Sequence, residues 1–167
     1  ILVILVTLIG AYVTALNLVR EKEIGTIEQI NVTPIKKWQF LLGKMIPFWI
    51  LGMAEFIMGL FLMNIIFDIT VQGSIPVLLT ITAIYLFVML GLGFFISAVA
   101  ENQLQAMFIV FFLFIVFVLL SGLFTPTEGM PEWAKIINYL NPMSFYMDVI
   151  KKMVLKGCEF SDVKVQT

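Results

Sequence analysis

Four long apolar stretches, residues 1–19, 41–67, 75–99 and 104–124, restrict this chain to one kind of fold. A helix rises 1.5 Å per residue, so about 20 apolar residues cross a hydrocarbon core of about 30 Å. Each stretch meets that length, and the chain reads as an all-α, polytopic membrane bundle with four transmembrane helices. Composition agrees, with 61% hydrophobic and 13% charged residues, against about 25% charged in an ordinary soluble domain. A soluble fold of 167 residues has too little interior to cover that much apolar surface.

Several function classes drop out on residue counts. The net charge of -1 provides no basic field for nucleic acid. Zero histidines and a single cysteine, Cys158, leave no ligand set for structural zinc or an iron–sulfur cluster, and no intrachain disulfide. The first residue already lies in an apolar run without a basic flank, whereas a secretory signal peptide needs a basic n-region and a shorter apolar core. The chain therefore reads as part of a longer protein, one transmembrane domain without a linker to a second one.

Cation placement sets the expected orientation. The connection between the first two stretches holds Arg20, Lys22, Lys36, Lys37 and Lys44, while residues 67–74 hold no cation. The positive-inside rule makes the first connection cytoplasmic, and puts residue 1, the Asp68 loop and everything after Phe124 outside. Against this, the tail carries Lys135, Lys151, Lys152, Lys156 and Lys164, interleaved with acids that count little in the rule.

The cytoplasmic connection, residues 20–40, carries dense helix signals. Gly25 can end the helix leaving the first span by taking a left-handed conformation. Thr26 then begins a new helix, with Gln29 completing a capping box and Ile24 and Ile30 placed as a hydrophobic staple. A second start follows at Thr33, with Pro34 in the first helical position and Trp38 at headgroup level on an interfacial helix. Two starts within ten residues describe a short, sharply terminated helix; an ordinary connecting loop is the plainer reading.

Arg20-Glu-Lys-Glu-x-Gly-Thr-x-Glu-Gln, followed by Val32-Thr-Pro and Leu42-Gly-Lys, resembles the cytoplasmic coupling segment of type-2 ABC exporter permeases. The resemblance implies that this segment rests in a cleft of an ATP-hydrolysing subunit and passes its closure to the spans. It makes Glu21, Glu23, Gly25, Thr26, Glu28 and Gln29 the contact and turn positions. The tail is similar to the same family: Gly122-Leu-Phe-Thr-Pro-x-x-x-Gly-Met-Pro-x-Trp and Asn141-Pro-Met-Ser resemble its external re-entrant helical hairpin, here residues 125–157. In that hairpin Trp133, Ile136, Ile137 and Leu140 form one stripe, and Asn141 caps a second helix with Pro142 at its first position. The resemblance runs from about the second family span to just before the sixth.

Within the spans, Glu55 is the notable polar residue, because an ionised carboxylate at mid-depth is costly unless it is protonated, paired or facing water. It is a candidate for the substrate path, or for an interhelical hydrogen bond. Gly91, Gly93 and Ser97 in the third span, and Gly52 and Gly59 in the second, are candidates for close helix packing. Phe108–Phe117 reads as lipid-facing or interhelical filler. Catalytic motifs are missing: Gly43-Lys44 lacks the first glycine and the hydroxyl residue of a phosphate-binding loop, and no G-x-S-x-G or H-E-x-x-H occurs.

Together with these features, the resemblance implies a non-enzymatic permease subunit of an ATP-driven exporter in the bacterial cytoplasmic (inner) membrane. The resemblance implies ATP and Mg on a partner ABC ATPase subunit, no cofactor in this chain, and a second permease copy or paralogue. A secondary transporter or channel using Glu55 is one alternative, and a non-transporting membrane scaffold another. The cytoplasmic segment separates them, since neither alternative accounts for a capped lever.

Overall fold

The computed structural model describes residues 2–25, 37–67, 74–122 and 131–155, and every regular element among them is helical. In chain order these are α1 (Leu2–Glu23), α2 (Lys37–Phe67), α3 (Ile75–Val99), α4 (Gln103–Leu120), α5 (Glu132–Tyr139) and α6 (Pro142–Leu155). The first four are long and apolar enough to cross a membrane. The expected starts at Thr26 and Thr33 lie outside the described residues. Trp38, expected on a separate interfacial helix, belongs to α2, which runs from Lys37 through Pro47 to Phe67 without a break. A proline inside a spanning helix is tolerated because neighbouring groups and local adjustment satisfy the freed carbonyl.

Registers between helices define the bundle. Thr7 meets Tyr85, Gly10 meets Met89, Gly93 meets Ala11 and Thr14, and Lys22 meets Ala100, so α1 and α3 run parallel. Gly59 meets Leu2 and Lys44 meets Glu21, so α2 runs antiparallel to α1. In their most apolar windows α1 is 44% buried and α3 33%, whereas α2 and α4 are each 11% buried. The α1–α3 pair is thus the axis of the bundle, and the other two spans leave most of their apolar surface facing outward. Phe108, Phe111 and Phe112 are among these outward side chains, as suits a lipid-facing helix.

Missing side chains allow the close approaches. A Cβ built on Gly93 would lie 2.9 Å from the Ala11 carbonyl oxygen, and one on Gly10 2.7 Å from the Met89 Cβ. Gly52 sits against Leu86 in the same way. Without a hydrophobic drive between helices in lipid, such backbone proximity is a main source of association through dispersion contacts. Gly91, expected on the same small face as Gly93, has nothing within 4 Å. The reason is helical phase: two residues is about 200° of rotation, which puts Gly91 on the opposite side of α3. Near this contact α1 departs from α geometry, with a π-helical stretch over Leu8–Val13.

The second core layer belongs to α6. Met143, Tyr146, Met147 and Met153 are buried together with Val3, Val6, Leu78 and Tyr85. The Tyr85 and Tyr146 rings stack with centroids 4.0 Å apart. Each phenol finds a threonine: Tyr85 Oη is 2.7 Å from Thr7 Oγ1, and Tyr146 Oη is 2.8 Å from Thr82 Oγ1. The threonines in turn donate to the carbonyls of Val3 and Leu78, so two polar pairs are satisfied inside an apolar core.

The turn between α5 and α6 is held by Asn141, which caps α6 by accepting from the Met143 N–H at 3.0 Å. Its amide also donates to the Phe117 carbonyl of α4, and Lys151 donates to the Gly122 carbonyl just beyond α4. One buried side chain thus serves the start of α6 and the end of α4. Asn141→Ala removes both and is expected to destabilise the protein by about 1–2 kcal/mol, read as a lower unfolding midpoint in detergent. On α5, Ala134 faces inward, while Ile136, Ile137 and Leu140 of the expected stripe are exposed.

Candidate functional site

The charged end of α1 is where chain chemistry and fold meet. The helix outlasts its apolar run by a full turn, Arg20 to Glu23, and stops where the sequence predicts. Gly25 has φ 78°, in the left-handed region, and its N–H donates to the Lys22 carbonyl at 3.1 Å. A side chain at this φ is strained whatever space surrounds it, and a glycine avoids that cost. Glu21, Glu23 and Gly25 are described; Thr26, Glu28 and Gln29, the remaining expected contact positions, lie outside the described residues.

Three consecutive side chains leave this last turn in three directions. Glu21 forms an ion pair with Lys44 of α2, both side chains being partly buried. Lys22 Nζ donates to the Ala100 carbonyl at 3.0 Å, at the C-terminus of α3. Glu23 accepts from the Gln103 N–H at 2.8 Å, and from the Gln103 side-chain amide, at the N-terminus of α4. Successive helical residues are rotated by about 100°, so these three side chains reach three neighbouring helices while Lys22 and Glu23 themselves stay exposed to solvent. The signs suit the helix dipoles, with a cation on the α3 carbonyls and an anion on the α4 N–H groups.

The turn receiving these contacts is itself capped. The Asn102 side chain accepts from the Gln105 N–H at 2.8 Å, and Gln105 Oε1 accepts from the Glu101 N–H at 2.9 Å. With Glu23 on Gln103, two of the leading amides of α4 have side-chain acceptors. Sequence reasoning placed Glu21 and Glu23 in a contact segment and used Lys22 and Lys44 for orientation without giving them partners, and it did not single out Gln103. The available signal was a basic residue near the start of the second span, and a polar Glu-Asn-Gln turn immediately after the third.

Glu55 lies at the middle of α2, away from this cluster. Its carboxyl borders a groove of about 450 Å³ between α1 and α2, lined by Ile9, Val13, Phe48, Leu51, Ala54 and Met58. The Oε2 atom is shielded and has no hydrogen-bond partner in the structure. Ile9 and Val13 belong to the π-helical stretch of α1, a feature that occurs often at functional positions. Among the described residues no cluster of carboxylates, cysteines or histidines is arranged to hold a metal.

Comparison with known proteins places this architecture. The chain is 33% identical over 163 residues to the probable multidrug ABC transporter permease YbhR of Escherichia coli, covering 97% of this chain and 44% of the relative. It is 30% identical over 155 residues to the probable multidrug ABC transporter permease YbhS of Escherichia coli, covering 92% and 41% respectively. The inner membrane transport permease YhhJ of Escherichia coli is 26% identical over 162 residues, covering 95% and 42%. The chain thus spans less than half the length of these curated relatives. No solved structure matches it. The family model described as ABC-2 family transporter protein matches residues 1–163, and with four helices long and apolar enough to span a membrane, the chain belongs to the ABC-2 family of multi-pass permeases.

Proposed function

We propose that this chain is the membrane core of an ATP-driven exporter in the bacterial inner membrane, working with a separate ABC ATPase subunit and a second permease copy or paralogue. The observation that carries the reading is that side chains at the end of α1 contact three other helices. The segment after Gly25 starts from a helix end tied to α2, α3 and α4, so a push on that segment has a mechanical route into every span. In this reading residues 26–36 dock on the ATPase at the cytoplasmic face, with Thr26, Glu28 and Gln29 as contact positions. Residues 125–157 form the external re-entrant hairpin, and the burial of Tyr146 and Met147 against α1 and α3 supports that arrangement.

Glu55 and its groove lie on the substrate path. Two of the relatives carry the name probable multidrug ABC transporter permease, and apolar walls with one carboxyl suit a hydrophobic, drug-like cargo. The unpartnered Glu55 Oε2 also favours a second reading, a secondary transporter that moves a proton or ion through this residue.

The deciding experiment is co-purification of the full-length permease from lipid with the ATPase encoded beside it. The wild type is expected to retain the ATPase, and a Glu28→Ala, Gln29→Ala variant to lose it. Wild type without any ATPase, together with transport that follows an ion gradient, would replace the exporter with the secondary transporter.

A further inference from the structure

We infer that Glu21, Lys22 and Glu23 act within the chain as a three-way tether that makes the cytoplasmic ends of all four spans move together, and not as contacts to the ATPase. The inference deepens the exporter reading and rests on it for its role in transport. Its geometry stands independently, because each of the three residues has its own span and its own partner atom: Glu21 with Lys44 of α2, Lys22 with the Ala100 carbonyl at the end of α3, and Glu23 with the Gln103 N–H at the start of α4.

Lys22 and Glu23 are exposed, and what distinguishes their contacts from ordinary surface pairing is the kind of group they meet. An exposed ion pair between two flexible side chains contributes little, but here two of the three acceptors or donors are backbone groups at helix termini. Those groups have no intrahelical partner and cannot rotate away. Glu23 takes both the main-chain and the side-chain N–H of Gln103, a two-point contact that fixes direction as well as distance. Lys22 also reaches toward the Ala98 carbonyl, 3.5 Å away, so it straddles the last turn of α3. The tethered turn then ends at left-handed Gly25, so the helix stops immediately after the tether. Movement of the docking segment is converted there into displacement of the bundle. These three positions are therefore positioning residues for transport: they touch no cargo and no nucleotide.

The test uses the full-length permease in lipid nanodiscs, with and without its ATPase, and follows amide hydrogen exchange across residues 98–106. In the permease without ATPase, Glu23→Ala is expected to raise exchange at the Gln103 amide about tenfold, the loss of one charge-assisted hydrogen bond. In the complex, Glu23→Ala is expected to leave ATPase binding and basal ATP hydrolysis intact while abolishing the nucleotide-induced change in exchange at 98–106. Glu21→Lys is expected to blunt that change about tenfold, and adding Lys44→Glu to restore it, a rescue that loss of folding would not permit. Unchanged exchange at Gln103 in Glu23→Ala would overturn the tether. Loss of ATPase binding in Glu21→Ala or Glu23→Ala would overturn it in favour of direct contact. If the wild type binds no ATPase, the exporter reading falls, and exchange at Gln103 without ATPase still decides whether the tether exists.

Discussion

Replacing Tyr146 by alanine is expected to destabilise the protein by about 3–5 kcal/mol. The ring is buried and stacked on Tyr85 at 4.0 Å, and its hydroxyl is hydrogen-bonded to Thr82. Truncation removes the stacking contacts, leaves a cavity between α3 and α6, and strands the Thr82 hydroxyl with only the Leu78 carbonyl. In a lipid-embedded bundle the association of helices depends on such contacts, since burial from lipid offers no hydrophobic gain. Tyr146→Phe keeps the ring and loses only the hydroxyl pair, for which about 1 kcal/mol is expected. Unfolding of the purified protein in detergent, followed by tryptophan fluorescence, separates the two variants. Equal losses would mean that the hydroxyl pair, and not the stack, holds α6.

Gly93→Leu is the second large effect, expected at about 3 kcal/mol, the upper part of the range for overpacking. A Cβ at this position meets the Ala11 carbonyl oxygen at 2.9 Å, the Thr14 Cβ at 3.0 Å and the Gly10 carbonyl oxygen at 3.3 Å. Two of these three are backbone atoms of α1, so relief requires the helix to move as a whole, and Lys22 and Glu23 tie its end to α3 and α4. The internal control is Gly91→Leu, two residues earlier, where a Cβ meets nothing within 4 Å and a change within about 0.5 kcal/mol is expected. Thermal unfolding of the pair in the same detergent is the measurement. A Gly91 variant as damaged as the Gly93 variant would show that glycine composition, and not the α1–α3 approach, sets the stability of α3.

The spans were legible because their signal is one-dimensional. Residues 75–99 were read directly and are a single helix over Ile75–Val99, since a long apolar run in lipid has few alternatives to a helix. The Gly25 stop and the Asn141 cap were legible for a similar reason, both being local backbone chemistry that a few neighbouring residues specify. Trp38 was assigned to an interfacial helix because aromatic belts mark headgroup depth, yet no breaker between Lys37 and Leu41 stops α2 from including it. Gly91 and Gly93 looked equivalent as small residues, and only the rotation of α3 distinguishes them.

By itself the sequence determined the class of fold, the number of apolar helices able to span, and where α1 must stop, because hydrophobic length and helix-end chemistry act along the chain. The tertiary structure decided what the charged residues face. Nothing in Arg20-Glu-Lys-Glu reveals that successive side chains reach α2, α3 and α4. Those partners are 23, 78 and 80 residues away in sequence, and they come within hydrogen-bonding distance only because α1 is packed at the centre of the bundle. The stack of Tyr85 on Tyr146 has the same origin, a contact across 61 residues set by helix packing and by no local pattern.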